Sequence, residues 1–185
     1  MKHPSNREFF AYWDDKRGGA RAPDRSEIEP AAVRELLGDI FVLSYDAAAG
    51  YPFRVAGTRV CALLGCDLKD RSFSTLFAPG GRHEIEQIIA VVAEEMQAAV
   101  AGITATSQDG TPAHLELLLL PFNARAHAPI SLTGLLAPFE SEHGVLRDLQ
   151  LTSWRYLGDQ PQKLVPRALR KLKIARGFMV YEGLR

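Results

Sequence analysis

Residues Val100 to Pro121 read V-A-G-I-T-A-T-S-Q-D-G-T-P-A-H-L-E-L-L-L-L-P. Two apolar runs of strand length flank Asp109-Gly110, a dipeptide suited to the positive φ angles of a two-residue type I′ turn. Such a turn predicts a hairpin in which Thr106 faces Ala113, Thr104 faces Leu115, Gly102 faces Leu117 and Val100 faces Leu119. The face so defined carries three leucines and must be buried. Opposite those leucines stand Gly102 and Thr104, so this face is bulky on one strand and thin on the other, with room for a helix or a ligand. The second face holds Ala101, Ile103, Ala105 and Leu118 beside His114 and Glu116, and is too apolar to be left to water. His114 and Glu116 read as a solvated or helix-covered patch rather than a catalytic dyad.

Working outward, H-E-I-E-Q-I-I-A-V-V-A-E-E-M-Q runs straight into the hairpin. Its stripe of Ile85, Ile88, Ile89, Val92 and Met96 predicts an amphipathic helix. Beyond the hairpin, I-S-L-T-G-L-L-A-P-F reads as a strand, and L-T-S-W-R-Y-L-G as a further strand or edge segment. Upstream, D-I-F-V-L-S-Y-D and P-F-R-V-A alternate as a second antiparallel pair. Thr58 reads as the N-cap of a helix R-V-C-A-L-L closed by Gly65. P-A-A-V-R-E-L-L reads as a short helix with Pro30 in its first turn. A short helical turn is expected near Ser74 to Phe77.

The N-terminal stretch Asn6 to Lys16 predicts a helix stopped at Gly18-Gly19. Phe9, Phe10, Tyr12 and Trp13 wrap most of its circumference, more aromatic surface than a solvated helix exposes. This helix must cover its own sheet or serve as a dimer or partner contact.

At 185 residues, 46% of them hydrophobic, the chain suits one globular domain with short extensions. No apolar run approaches a membrane span, and M-K-H-P-S-N-R-E lacks the apolar core of a signal peptide, so a cytoplasmic protein is expected. Cys61 and Cys66 flank a glycine and fit neither a disulfide framework nor a C-x-x-C motif; they read as ordinary thiols. Net charge is zero but unevenly spread, with seven basic residues against one acid from Gln160 onward. This basic tail is a separate electrostatic object that could dock on the acidic body, bind a partner protein, or touch anionic lipid or nucleic acid. Taken as a helix, it shows a partial apolar stripe of Leu164, Ala168, Leu169, Leu172 and Ala175.

The order of elements implies an α+β architecture, an antiparallel sheet with helices gathered on one face. Both the order and the residues resemble the single-domain PAS family. The matching motifs are F-F-A-Y-W-D-D-K-R-G-G, R-A-P-D-R-S-E-I-E-P, F-R-V-A-G-T-R-V-C-A-L-L-G and L-K-D-R-S-F-S-T-L-F. Where the family pattern carries a glycine between Leu68 and Phe73, this chain has Asp70. The resemblance implies a PAS-like five-stranded antiparallel sheet with helices over one face, plus the N-terminal helix and the basic C-terminal extension. On this reading residues 1–29 are the N-terminal helix and connecting segment, 30–140 the PAS-like core, and 141–185 the extension.

A sensory or regulatory module with a pocket between sheet and helices is implied, bacterial in origin and commonly dimeric through the helix before the core. Its pocket is expected to be lined by Val60, Leu64, Gly102, Thr104, Leu115 and Leu117. The resemblance names no ligand or cofactor. His83, at the start of the long helix, is the histidine to weigh as a haem ligand, against the plain reading of an exposed first-turn residue. The surroundings of Cys61 do not resemble a flavin-reactive motif, so it reads as a small hydrophobe.

The chain shows no G-x-S-x-G, H-E-x-x-H or glycine-rich phosphate loop, and its histidines lack ligand spacing. The expectation is therefore a non-enzymatic module that signals through ligand-linked or partner-linked protein association, as a homodimer or with a signalling protein. Two alternatives stand beside it: a small-molecule carrier or enzyme on a similar cone-shaped α+β fold, and a nucleic-acid binder using the tail.

Overall fold

The computed structural model describes residues 1–124, 128–140 and 144–158 in full, and the backbone of 169–175 and 178–183. Helix α1 (Pro4–Arg17) begins where His3 Nδ1 accepts the Ser5 N–H and Pro4 presets the first turn; it ends at Gly18, with φ +51°. Strands β1 (Ile40–Ser44) and β2 (Phe53–Ala56) form the first hairpin. Helices α2 (Thr58–Leu64) and α3 (Arg82–Glu95) follow, then β3 (Ala98–Thr106), β4 (Pro112–Pro121), β5 (Ser131–Pro138) and β6 (Arg147–Leu157). All pairings in the main sheet are antiparallel, in the order β2-β1-β5-β4-β3-β6. The sheet thus has six strands rather than five, the sixth supplied by residues beyond 140 and laid along β3.

The hairpin β3–β4 sits where the sequence predicts it, but one residue out of register. Ala101 pairs with Leu117, Gly102 with Glu116, Ile103 with Leu115 and Thr104 with His114. The cause is the loop, which has three residues rather than two. Ser107 N–H bonds Thr111 O across Gln108, Asp109 and Gly110, and only Gly110 takes a positive φ, +85°. Asp109 Oδ1 accepts both the N–H and the hydroxyl of Thr111, closing the turn from its side chain. A one-residue shift exchanges the partners of every side chain in the hairpin.

On the inner face, Ala99, Ala101, Ile103, Leu115, Leu117 and Leu119 meet α2 and the Ile85, Ile88, Ile89 and Val92 stripe of α3. Four phenylalanines fill the end of this core near β1: Phe41 stacks on Phe73 at 5.2 Å, and Phe53 and Phe77 lie 5.5 and 5.6 Å from Phe73. Each such ring, fully buried, contributes about 1.5–3 kcal/mol of transfer free energy. On the outer face, α1 lays Phe9 and Trp13 against Leu118, Leu120, Leu135 and Ala137.

Smaller differences concern termini. Gly57, not Thr58, caps α2, and residues 34–36 form a single 3₁₀ turn where a short helix is expected, whereas the helical turn expected near Ser74 to Phe77 is present as the 3₁₀ turn Phe73–Leu76. Asp70, at the family's glycine position, takes φ +62°. Strands β7 (Leu169–Ala175) and β8 (Phe178–Gly183) pair with each other instead of extending a helix. The side chains of the basic tail lie outside the described residues, as do His127 and His143. Among the described residues no helix is long and apolar enough to cross a membrane.

Candidate functional site

The six residues expected to line one pocket fall on opposite sides of the sheet. Val60 and Leu64 on α2 share the inner core with Leu115 and Leu117. Gly102 and Thr104 belong to the outer face, where Thr104 Oγ1 lies 3.3 Å from His114 Nδ1. The correction follows from the three-residue turn. Gly102 is thin for a different reason: a Cβ there would come within 2.8 Å of Thr152 Oγ1 and 3.1 Å of Ser153 Oγ, so glycine admits the hydroxyls of β6.

The aromatic helix is likewise divided. Phe9 and Trp13, four apart, are 0% and 3% exposed against the chain's own sheet, so they cannot serve as contacts to a second molecule while α1 is docked. Trp13 Nε1 donates to Pro121 O at 3.0 Å. Phe10 and Tyr12 stay half-buried at the helix surface, and Tyr12 Oη accepts the Glu29 N–H.

What seats α1 is Glu116, which no motif marks. It is 5% exposed in the middle of β4, where a charge needs partners. Its Oε1 accepts the Lys2 N–H at 2.6 Å, and Oε2 accepts the His3 N–H at 2.9 Å and Asn6 Nδ2 at 3.0 Å. Asn6 Nδ2 also reaches the backbone carbonyl of Glu116 at 3.1 Å. A carboxylate at the first turn of a helix meets both the free amides and the positive end of the dipole. The one sequence signal was its position: a lone acid inside L-E-L-L-L-L on a strand must be paired.

Beside this clamp the outer face opens into a concavity of about 440 Å³, lined by Met1, Lys2, Val100, Gly102, His114, Glu116, Phe139, Ser153 and Arg155 among others. A second, of about 530 Å³, lies across Phe139 and is bordered by His3, Asp39, Arg59 and Glu140. Phe139 divides the two and is 46% exposed, with the His3 ring edge-on at 5.5 Å. In the second concavity, Arg59 is held bidentately by Asp39 at 2.8 and 2.7 Å; that hydrogen-bonded pair raises the guanidinium above its usual range. Arg59 is thus already committed to a carboxylate.

His83 is exposed in the first turn of α3 and shares a hydrogen bond with Gln87, which is its plain reading. Among the described residues no group of three or more His, Cys, Asp or Glu side chains is arranged to hold a metal ion. Cys61 and Cys66 are half-buried at the margin of the inner core.

Solved structures with a similar fold include three distant ones. The PAS domain of a Colwellia psychrerythraea protein is 13% identical over 62% of this chain and 100% of that one, with a TM-score of 0.43. The Rhodobacter sphaeroides LOV protein is 12% identical over 76% of this chain and 70% of that one, with a TM-score of 0.46. The PAS domain of an HTR-like protein from Haloarcula marismortui is 17% identical over 59% of this chain and 90% of that one, with a TM-score of 0.44. No curated protein matches the chain. A family model described as PAS domain matches residues 1–137, taking in α1, its seat on Glu116 and five of the six sheet strands; the chain belongs to the PAS domain family.

Proposed function

We propose that this chain is a non-enzymatic sensory or regulatory module whose state is read out as protein association at the outer face of the sheet. The observation that carries this reading is the clamp on Glu116. One buried carboxylate ties the first residues of α1 to the central strand, and the 440 Å³ concavity opens directly beside it. Whatever enters that concavity acts on the seat of α1 without an intervening element, and the helix position is what a partner would sense. The inner face is occupied by its own stacked phenylalanines, which favours the outer face as the communicating one.

A homodimer is the simplest such association, with Phe10 and Tyr12 the aromatic contacts left at the surface of α1. A small molecule in the concavity is the ligand-linked form of the same reading, since the volume lies in the range of small-ligand sites.

Native mass spectrometry beside the denatured mass, with light scattering on the same sample, tests the proposal. A dimer, or mass retained beyond the chain, is expected. A double Phe10→Ala, Tyr12→Ala variant is expected to shift a dimer toward monomer while still unfolding in one cooperative transition, at somewhat lower stability because both rings also pack on the chain's own outer core. A bare monomer at every concentration would refute association through copies of this chain; turnover of a substrate would refute the non-enzymatic reading.

A further inference from the structure

Helix α2 ends in a Schellman motif built from both cysteines of the chain. Gly65, at φ +66°, is the left-handed residue; its N–H bonds Ala62 O, and the Cys66 N–H reaches back to Cys61 O at 3.2 Å. A contact between the side chains at the two ends of this pattern, three positions before the cap and two after it, frequently accompanies it. Here those ends are Cys61 and Cys66, both half-buried at the same margin of the core. The backbone hydrogen bond between the two residues holds their main chains side by side, the kind of approach a disulfide needs, with Cα atoms roughly 4.4–6.8 Å apart. A cation stands at one end of the pair, with Arg71 Nη1 2.8 Å from Cys66 Sγ.

We propose that Cys61 and Cys66 are a peroxide-oxidisable dithiol, with Cys66 the attacking thiol and Cys61 the resolving one. In the first step Cys66 sulfur attacks one oxygen of hydrogen peroxide. The S–O bond forms, the O–O bond breaks, and the departing oxygen leaves as water with the thiol proton. In the second step Cys61 sulfur attacks the sulfenic sulfur, the S–S bond forms, the S–O bond breaks, and the hydroxyl leaves as a second water with the Cys61 thiol proton. The two sulfurs together lose two electrons and the peroxide gains them. Arg71 is a positioning residue whose guanidinium, beside the Cys66 sulfur, offsets the negative charge that passes from sulfur to the departing oxygen during attack.

The location gives the chemistry a consequence. Gly65 lies so close under Val145 that a Cβ would come within 2.6 Å of it, and the Leu146 N–H donates to Leu63 O at 2.8 Å. The turn that the disulfide would close is therefore the seat from which the chain departs into β6. In a reducing compartment such a bond is transient, which suits a signal rather than a staple.

The test uses the full chain exposed to hydrogen peroxide, then alkylated and digested with trypsin, which places both cysteines on the single peptide Val60 to Lys69. That peptide is expected to become lighter by two hydrogens, to escape alkylation, and to revert with dithiothreitol, at a rate independent of protein concentration. Two alkylated cysteines after peroxide, or a bond formed between chains, would overturn the proposal. In Cys61→Ser, dimedone is expected to trap a sulfenic acid at Cys66; no adduct there would overturn the assignment of roles. Arg71→Gln, at an exposed site, is expected to slow oxidation of the wild-type pair roughly fivefold. An unchanged rate would remove Arg71 from the mechanism.

Discussion

Asn6 Nδ2 donates to Glu116 Oε2 at 3.0 Å across 110 residues of sequence, and the same carboxylate takes the backbone N–H groups of Lys2 and His3. Replacing Glu116 by Gln keeps the shape but removes the charge and turns one oxygen into a donor facing an N–H. Leaving a buried donor unpaired beside two weakened bonds costs about 2 kcal/mol. Glu116→Gln is thus expected to lower the urea midpoint and to speed amide exchange in α1 more than in α3. Equal exchange in both helices would show that the clamp does not set the position of α1.

Asp70 occupies a left-handed conformation, φ +62°, with its N–H on Phe53 O. Its side chain pairs with Arg54 at 3.3 Å, but both are too exposed for that contact to contribute much. Asp70→Gly is therefore expected to be neutral or to stabilise by up to about 1 kcal/mol, whereas Asp70→Val destabilises by more than that. Thermal unfolding of the two variants side by side decides it; a more stable Val variant would contradict the backbone argument.

The location of the β3–β4 hairpin, the stripe of α3 and the need to cover the aromatic helix were legible because they rest on short-range periodicity and turn chemistry. Register was not. Asp109-Gly110 serves a two-residue type I′ turn and a three-residue turn ending in a left-handed glycine equally well, and only the bond from Ser107 to Thr111 selects the second. That single residue moved Gly102 and Thr104 away from Leu115 and Leu117 and split the expected lining between the two faces. The aromatic helix posed a choice between its own sheet and another molecule, which Phe9 and Trp13 answer with one stripe at a spacing of four. Glu116 escaped because its partners are the first residues of the chain, and no local pattern announces a contact across more than a hundred positions. Asp70 was visible only as a departure from a glycine, which named the required conformation without showing that aspartate adopts it.

Gly134, in the middle of β5, lies under the ring of Phe41. A Cβ at this position would stand 2.3 Å from Phe41 Cζ and 2.8 Å from the carbonyl oxygen of Leu118, so the backbone of β4 as well as the ring would have to yield. Phe41 cannot move freely, because Phe53 and Phe73 pack against it at 5.4 and 5.2 Å. Gly134→Ala is expected to cost about 3 kcal/mol, the upper end for overpacking. Chemical unfolding measures this directly, and a loss under about 0.5 kcal/mol would mean that the phenylalanine cluster is looser than its geometry implies.

Tyr51 is 9% exposed, and its hydroxyl has no hydrogen-bond partner among the described residues. Burial first, then the charges of Glu94 and Tyr45, push its ionisation up to about 12. The unfolded chain releases this proton near pH 10, so between about pH 10 and 12 the unfolded state binds fewer protons than the folded one and stability falls as pH rises. Below pH 10 both states hold the proton and the contribution is complete; across the window it amounts to about 2 kcal/mol. Tyr51→Phe removes the titration and the orphaned hydroxyl together. The variant is therefore expected to be at least as stable at pH 8, and its urea midpoint should decline less steeply than the wild type's between pH 10 and 11.5. Parallel declines would assign the alkaline loss to other groups and would mean that the Tyr51 hydroxyl is solvated in the folded protein.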